Sequence, residues 1–237
     1  MTTSPRVSVV IPAYNEDRFI GQLLAQIQSV DLSALNVTLE LIVVDDGSKD
    51  RTAEVVAAIP GVTLLRKPNG GKGSAVRAGI GAATGDYVLI QDADLEYDPR
   101  DYVPMFTAAF REGATVVYGS RYMAHRRPYP QQGLTAYLGG TSLSLVCWAF
   151  TGRYLTDTVT ALKLFPRPLL NELALVTSGF ELDHEISAKV LARGHAIVEV
   201  PIRYYPRSRA DGKKIGMRDW FVAVRTFARW RREQPRA

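Results

Sequence analysis

The chain has 237 residues, of which 46% are apolar and 22% charged, a balance that fits a folded body with a sizeable core and excludes a disordered chain. Its net charge of +5 suits three kinds of anionic partner: nucleic acid, a phosphorylated substrate or an anionic membrane. Basic residues crowd the segment from Arg203 onward, and there is no zinc-ligand spacing or helix-turn-helix pattern, so nucleic acid is the weakest of the three. One cysteine, Cys147, rules out an internal disulfide and suits a reducing, cytoplasmic compartment. The start, Met1 to Arg6, is too short and polar for a signal peptide.

In chain order, Val7 to Ile11 reads as a buried strand. Phe19, Ile20, Leu23, Leu24 and Ile27 then share one helical face. Leu39 to Val44 is a second strand, after which Ser48 is placed to cap a helix with Ala53, Val56 and Ala57 inward. Val62 to Leu65 is a third strand, Gly73 to Ala83 a helix stopped by Thr84-Gly85, and Tyr87 to Ile90 a strand. Asp98-Pro99 starts a helix, with proline in its first turn, and Thr115 to Tyr118 is the next strand. Further on, Leu134 to Phe150 is apolar with small residues, Ala161 to Phe165 a strand, and Leu182 to Ala192 a helix closed by Arg193-Gly194. Ala196 to Tyr205 reads as a strand whose Pro201 marks an edge or bulge, and Arg218 to Arg232 as a basic amphipathic helix. This alternation predicts an α/β fold with a mostly parallel sheet and helices on both faces. Ligands of such sheets sit at the carboxyl ends of the strands, where each polar motif of the first half falls.

Asp92-Ala93-Asp94 directly follows a strand. Two carboxylates at that spacing can converge on one hard cation, Mg²⁺ or Mn²⁺, that keeps positions for phosphate oxygens, and Glu96 is close enough to join them. Asp45-Asp46-Gly47-Ser48 also ends a strand, where a carboxylate can accept from a ribose hydroxyl or a base imide, or cap a helix. Asn69-Gly70-Gly71-Lys72-Gly73-Ser74 opens a helix: its glycines allow close backbone approach to a ligand, the helix N-terminus favours anions, and Lys72 adds charge. It lacks the spacing of a Walker loop.

The order of Pro12-Ala13-Tyr14-Asn15-Glu16, Val44-Asp45-Asp46-Gly47-Ser48, Gly71-Lys72-Gly73 and Asp92-Ala93-Asp94 resembles the large inverting glycosyltransferase family, family 2 type, with the Rossmann-like GT-A fold. The likeness is close over residues 7–122 and looser beyond. Within it, the sequence looks most like dolichol- or polyprenyl-phosphate mannose or glucose synthases. The resemblance implies one GT-A catalytic domain over 1–210, with a nucleotide-binding half at 1–122 and an acceptor half at 123–210. A basic loop and amphipathic helix at 211–237 follow. It assigns the nucleotide to Pro12, Tyr14, Glu16, Asp45, Asp46, Lys72, Asp92 and Ala93, and the metal and diphosphate to Asp92 and Asp94, with Glu96 at the place of a third ligand.

After the next strand, Arg121 in Gly119-Ser120-Arg121-Tyr122 also matches, as a phosphate-holding residue. Asp157 and Lys163 fall in a segment resembling the family's acceptor side, although Ala161-Leu162 stands where a small residue or glycine and an aromatic are usual. The segment Gly179 to Glu185 matches a region near the reacting sugar. Transfer to a hydroxyl needs a general base, for which Asp183 and Glu185 are the candidates, whereas a phosphate acceptor is already ionised and needs none; His184 reads as structural. Arg207 and Lys213 lie in a matching basic loop over the donor and acceptor phosphates.

Leu134 to Phe150 contains too many small polar residues to read as a membrane span and suits a helix lining a lipid groove or the core. On the last helix, Trp220, Phe221, Val224, Phe227 and Ala228 form an apolar stripe beside arginines, the pattern of a helix lying on an anionic membrane or packed on a core. The leading expectation is metal-dependent, inverting transfer of a hexose from a UDP- or GDP-sugar to a polyprenyl phosphate, by a protein peripheral to the membrane. The competing expectations are the same donor chemistry on a hydroxyl of a soluble sugar or glycan, a nucleotide-sugar-binding protein without transfer activity, and, more weakly, a nucleotidyltransferase.

Overall fold

The computed structural model describes residues 4–123, 129, 134–206 and 217–231. Seven strands form one sheet: β1 (Arg6–Ala13), β2 (Thr38–Asp45), β3 (Val62–Arg66), β4 (Tyr87–Ile90), β5 (Val116–Ser120), β6 (Lys163–Pro166) and β7 (Ile197–Pro201). Their order is β3-β2-β1-β4-β6-β5-β7. All pairs are parallel except those of β6, which runs antiparallel to β4 and to β5. The reversal of β6 brings its first residue, Lys163, level with Ile90 and Tyr118, at the edge where β4 ends.

The helices are α1 (Ile20–Gln28), α2 (Thr52–Ala57), α3 (Lys72–Ala82), α4 (Tyr102–Phe110), α5 (Leu134–Thr151), α6 (Arg167–Glu172), α7 (Leu182–Ala192) and α8 (Met217–Trp230). They cover both faces of the sheet because β1 alternates. Val7, Val9 and Ile11 point into one core with Ile20, Leu23, Leu24 and Ile27 of α1 and Met105 and Phe106 of α4. Val10 points into the other, with Val76 and Ile80 of α3, Ile186 and Val190 of α7 and Phe227 of α8. Burying each such side chain stabilises the fold by about 1.5–3 kcal/mol.

Several expectations shift. Ser48 does not cap α2, whose N-cap is Arg51. Its hydroxyl instead accepts from the Asn15 amide at 3.0 Å and ties the loop after β1 to the loop after β2. Thr52 and Val56 are the buried residues of α2, and Ala57 is exposed. Asp98 caps a short 3₁₀ turn, Pro99–Asp101, that leads into α4, its carboxylate accepting from the Arg100 amide at 2.9 Å. β7 is shorter than predicted; it ends at Pro201 on the sheet edge, where a missing N–H costs no ladder bond.

Candidate active site

The loops at the carboxyl ends of β2 and β4 meet the glycine segment and first turn of α3, and the start of α7 joins them through Asp183. Lys72, the first residue of α3, is the centre of the charge network. Its ammonium lies 2.8 Å from the Asp92 carboxylate and 3.5 Å from that of Asp183. Asp183 also binds the buried ammonium of Lys163, which in turn donates to the Thr160 carbonyl. Burial alone would raise the Asp183 pKa, but the ammonium groups of Lys163 and Lys72 hold it below the ordinary carboxylate value. Lys72 is desolvated too, yet Asp183 and Asp92 keep it firmly protonated, with its pKa raised. The ring of Phe180 lies 5.8 Å from its ammonium.

The Asp-Ala-Asp loop is braced from behind. Buried Gln91 donates to the Asp92 carbonyl at 2.9 Å and accepts from the Tyr102 hydroxyl at 3.1 Å. Asp94 accepts from the Glu96 amide at 3.2 Å. Tyr97 pairs with Tyr204 in an isolated antiparallel bridge, and the Tyr97 hydroxyl accepts from the Ala161 amide at 3.1 Å. Gln91, Tyr97 and Tyr204 were not foreseen. The glutamine adjoins the motif, but nothing in local spacing links Tyr97 to a residue more than a hundred positions away.

Asp92 and Asp94 fit a hard divalent cation. Asp92 already carries a cation, the Lys72 ammonium, at the mouth of the site, and two carboxylates leave positions for water and diphosphate oxygens, as Mg²⁺ and Mn²⁺ require. Glu96 does not complete a triad: its carboxylate accepts from the Tyr204 hydroxyl at 2.6 Å, and among the described residues no three His, Cys, Asp or Glu side chains converge.

Other predicted site residues are engaged by the protein itself. Asp46 accepts from the amides of Gly70 (3.0 Å) and Gly71 (2.8 Å) and from Lys67 at 2.5 Å, so it shapes the glycine loop. Asp45 accepts from the Ser48 amide at 2.9 Å and from Arg66 at 3.4 Å. What approaches Gly71 and Gly73 is the backbone of residues 177–179. The Ser74 amide donates to the Ser178 carbonyl at 3.0 Å, and a Cβ on Gly73 would lie 2.8 Å from the Gly179 oxygen and 2.9 Å from Ser178 carbonyl carbon. Gly73→Ala should therefore lower stability by about 1–3 kcal/mol, read by thermal unfolding.

Arg121 spends its fork on buried Asp157, with Nε–Oδ2 at 2.6 Å and Nη2–Oδ1 at 2.7 Å, and stacks on Tyr204. Asp157 thus positions Arg121, and the fork that was expected to grip a phosphate grips a carboxylate. Lys163 is fully buried under Asp183 and is not placed to meet an acceptor. Glu185 is likewise enclosed: it accepts from the amides of Val176 (3.0 Å) and Thr177 (2.8 Å), the Thr177 hydroxyl (2.5 Å) and Lys189 (2.8 Å). Burial pushes its pKa up, but these donors together hold it below the ordinary value, and they occupy the oxygens that a general base would present to an acceptor. Pro12 and Tyr14 sit half-buried at the end of β1 and just after it, and the Glu16 amide donates to Thr52 at 2.8 Å, fixing that loop on α2. Ala93 is buried in the core beneath the motif. Arg207 and Lys213 lie outside the described residues.

His184 packs on Phe227 with ring centroids 5.3 Å apart, and its buried Nδ1 has no partner. Burial lowers its pKa from 6.5 to about 4. An unfolded chain then binds more protons between those values, so stability is fully present above 6.5 and falls as pH drops toward 4. A His184→Leu variant should lose that part of the acid-sensitivity in unfolding curves measured across the window.

A seven-stranded α/β sheet of this order, carrying an Asp-Ala-Asp loop at its carboxyl edge, defines a GT-A glycosyltransferase. Residues 8–172 match the family described as Glycosyl transferase family 2, and the chain belongs to that family. It is similar to a dolichyl-phosphate hexose transferase of Haloferax volcanii, 30% identical over 209 residues that cover 88% of this chain and 86% of that protein. It is also similar to a dolichol-phosphate mannosyltransferase of Pyrococcus furiosus, 29% identical over 222 residues, covering 89% of this chain but only 60% of that protein's length. In fold it is similar to the solved glucosyl-3-phosphoglycerate synthase of Mycobacterium tuberculosis, crystallised with Mn²⁺, uridine diphosphate and phosphoglyceric acid. That likeness has a TM-score of 0.64 at 23% identity and covers 87% of this chain and 73% of that one.

Proposed function

We propose that the protein transfers a hexose from a UDP- or GDP-sugar to a polyprenyl phosphate, with inversion at the anomeric carbon. The observation that carries this reading is the state of the two carboxylates that a hydroxyl acceptor would need. Asp183 is ionised between Lys72 and Lys163, and Glu185 is saturated by four donors. Both carboxylates are already engaged by protein donors, which counts against either as the base that a hydroxyl acceptor needs. A phosphate acceptor requires no base, and its negative charge is favoured near Lys72. The names of the Haloferax and Pyrococcus relatives support a lipid-phosphate acceptor.

Asp92 and Asp94 would hold Mg²⁺ or Mn²⁺, which, when bound, neutralises the charge growing on the departing diphosphate. Lys72 adds a fixed positive charge on the same side, and Gln91 with Tyr97 keeps the loop rigid, so little reorganisation is needed as the bond breaks. The nucleotide would lie over Pro12, Tyr14, Glu16 and the Asp45-Asp46 turn. Arg207 and Lys213 would cover the phosphates.

The test is nucleoside diphosphate release from a panel of UDP- and GDP-sugars with Mn²⁺, in three arms: no acceptor, short-chain polyprenyl phosphate, and a soluble hydroxyl acceptor such as 3-phosphoglycerate. Release stimulated by the lipid alone supports the proposal. Stimulation by the hydroxyl acceptor alone replaces it with soluble-sugar transfer, and binding without release in every arm replaces it with a non-catalytic nucleotide-sugar protein.

A further inference from the structure

Among the described residues no helix is long and apolar enough to cross a membrane, and the exposed helical faces are the surfaces with which this part of the chain can meet a lipid. Most of the amphipathic stripe of α8 is packed on the protein and is not the surface that does this. Its Phe227 and Ala223 are fully buried, Phe227 lies on His184 of α7, and the Trp220 indole donates to Ser142 of α5 at 2.9 Å. What α8 leaves outward is one member of that stripe, Phe221, together with Arg218, Val222, Arg225 and Arg229. Phe221 is 62% exposed.

Helix α5 runs alongside. Ser142, midway along α5, meets Trp220 near the start of α8, and Phe150 near the end of α5 lies 5.8 Å from the guanidinium of Arg231 just past α8, so the two helices run in the same direction. α5 has no charged residue in its whole length. Its outward row is Leu138, Leu145 and Trp148, exposed by 54%, 58% and 56%. Solvent exposure of large apolar groups at positions i, i+7 and i+10 of an uncharged helix is unusual for a surface that stays in water.

We infer that the outer faces of α5 and α8 form one docking surface for an anionic lipid bilayer. Leu138, Leu145, Trp148 and Phe221 enter the acyl boundary, and Arg218, Arg225 and Arg229 meet the headgroups. Charge selects this occupant over a second copy of the chain: a two-fold contact through this face would set the same arginines against one another. The placement also fits the site. The first half of α5 abuts Tyr122, the neighbour of Arg121, through Tyr137 at 5.5 Å between ring centroids. The docked surface therefore lies next to the acceptor side of the cleft.

This inference rests on the lipid-acceptor reading for its purpose, but its test uses neither donor nor acceptor, so the two can fail separately. The full chain is sedimented with phosphatidylcholine vesicles with and without phosphatidylglycerol. Wild type should pellet with the anionic vesicles and stay in solution with the neutral ones. Trp148→Glu combined with Phe221→Glu should abolish pelleting, and Arg218→Ala with Arg225→Ala should weaken it about 30-fold. All four positions are exposed, and unchanged thermal unfolding confirms that the variants fold. Wild type that stays in the supernatant with anionic vesicles, or variants that pellet like wild type, overturns the inference. So does a wild-type dimer that the Trp148→Glu, Phe221→Glu variant converts to monomer, because the face then belongs to a second copy.

Discussion

Asp94→Ala should lower sugar transfer by about 10²–10³-fold while leaving the fold intact. In the proposed reading Asp94 holds the cation that offsets transition-state charge, and loss of one such preorganised electrostatic contribution has that size of effect. Asp94 is half-buried in a loop whose scaffold lies elsewhere, in Gln91, Tyr97 and Tyr204. The substitution removes the acceptor of the 3.2 Å bond from the Glu96 amide and leaves the Lys72–Asp92 pair in place. Thermal unfolding without metal should therefore stay close to wild type, whereas the dependence of turnover on Mn²⁺ concentration should be lost. Activity that remains saturable by Mn²⁺ in this variant would move the metal away from the motif.

The second large effect is on stability. Glu185→Ala should destabilise the protein by about 3–5 kcal/mol, because it leaves the Lys189 ammonium uncompensated inside the protein and orphans the amides of Val176 and Thr177. For a chain of this length the melting temperature should fall on the order of 10 °C. The damage should spread to the donor site, since the 177–179 backbone that Glu185 anchors is what packs on the first turn of α3. A general base behaves differently: its amide variant folds normally and loses turnover. Measuring melting temperature and kcat for Glu185→Ala and Glu185→Gln separates the two roles, and a Glu185→Ala protein with wild-type stability would contradict the anchoring role.

The sheet was legible because each buried strand is a short apolar run closed by a turn. β4 and α7 have the bounds that periodicity predicts, and the antiparallel β6 was found within two residues at either end. Two short elements were missed, the 3₁₀ turn Ser33–Leu35 and α6, a six-residue helix with proline in its first turn; both are too short for a periodic signal. Site residues were legible as types more than as roles. Asp46, Glu96, Arg121, Lys163 and Glu185 carry charges that suit substrate, yet each is taken up by a protein partner that lies far along the chain in most cases. Tyr204 and Glu96, for example, are 108 residues apart. Sequence spacing reports what a side chain can do, but the partner that engages it is fixed only when the strands and loops meet. The amphipathic stripe of α8 shows the same limit: its period is correct, and the packing of α5 and α7 decides which face is inside.

The most direct measurement of the central claim is the structure of the reaction product. Wild-type protein, an α-linked UDP- or GDP-hexose chosen from the donor panel, Mn²⁺ and short-chain polyprenyl phosphate are incubated, and the lipid fraction is read by proton and phosphorus NMR. The account predicts a hexose joined through its anomeric carbon to the acceptor phosphate, with the β configuration. A product of retained α configuration, or a sugar joined to a hydroxyl in place of the phosphate, would contradict it.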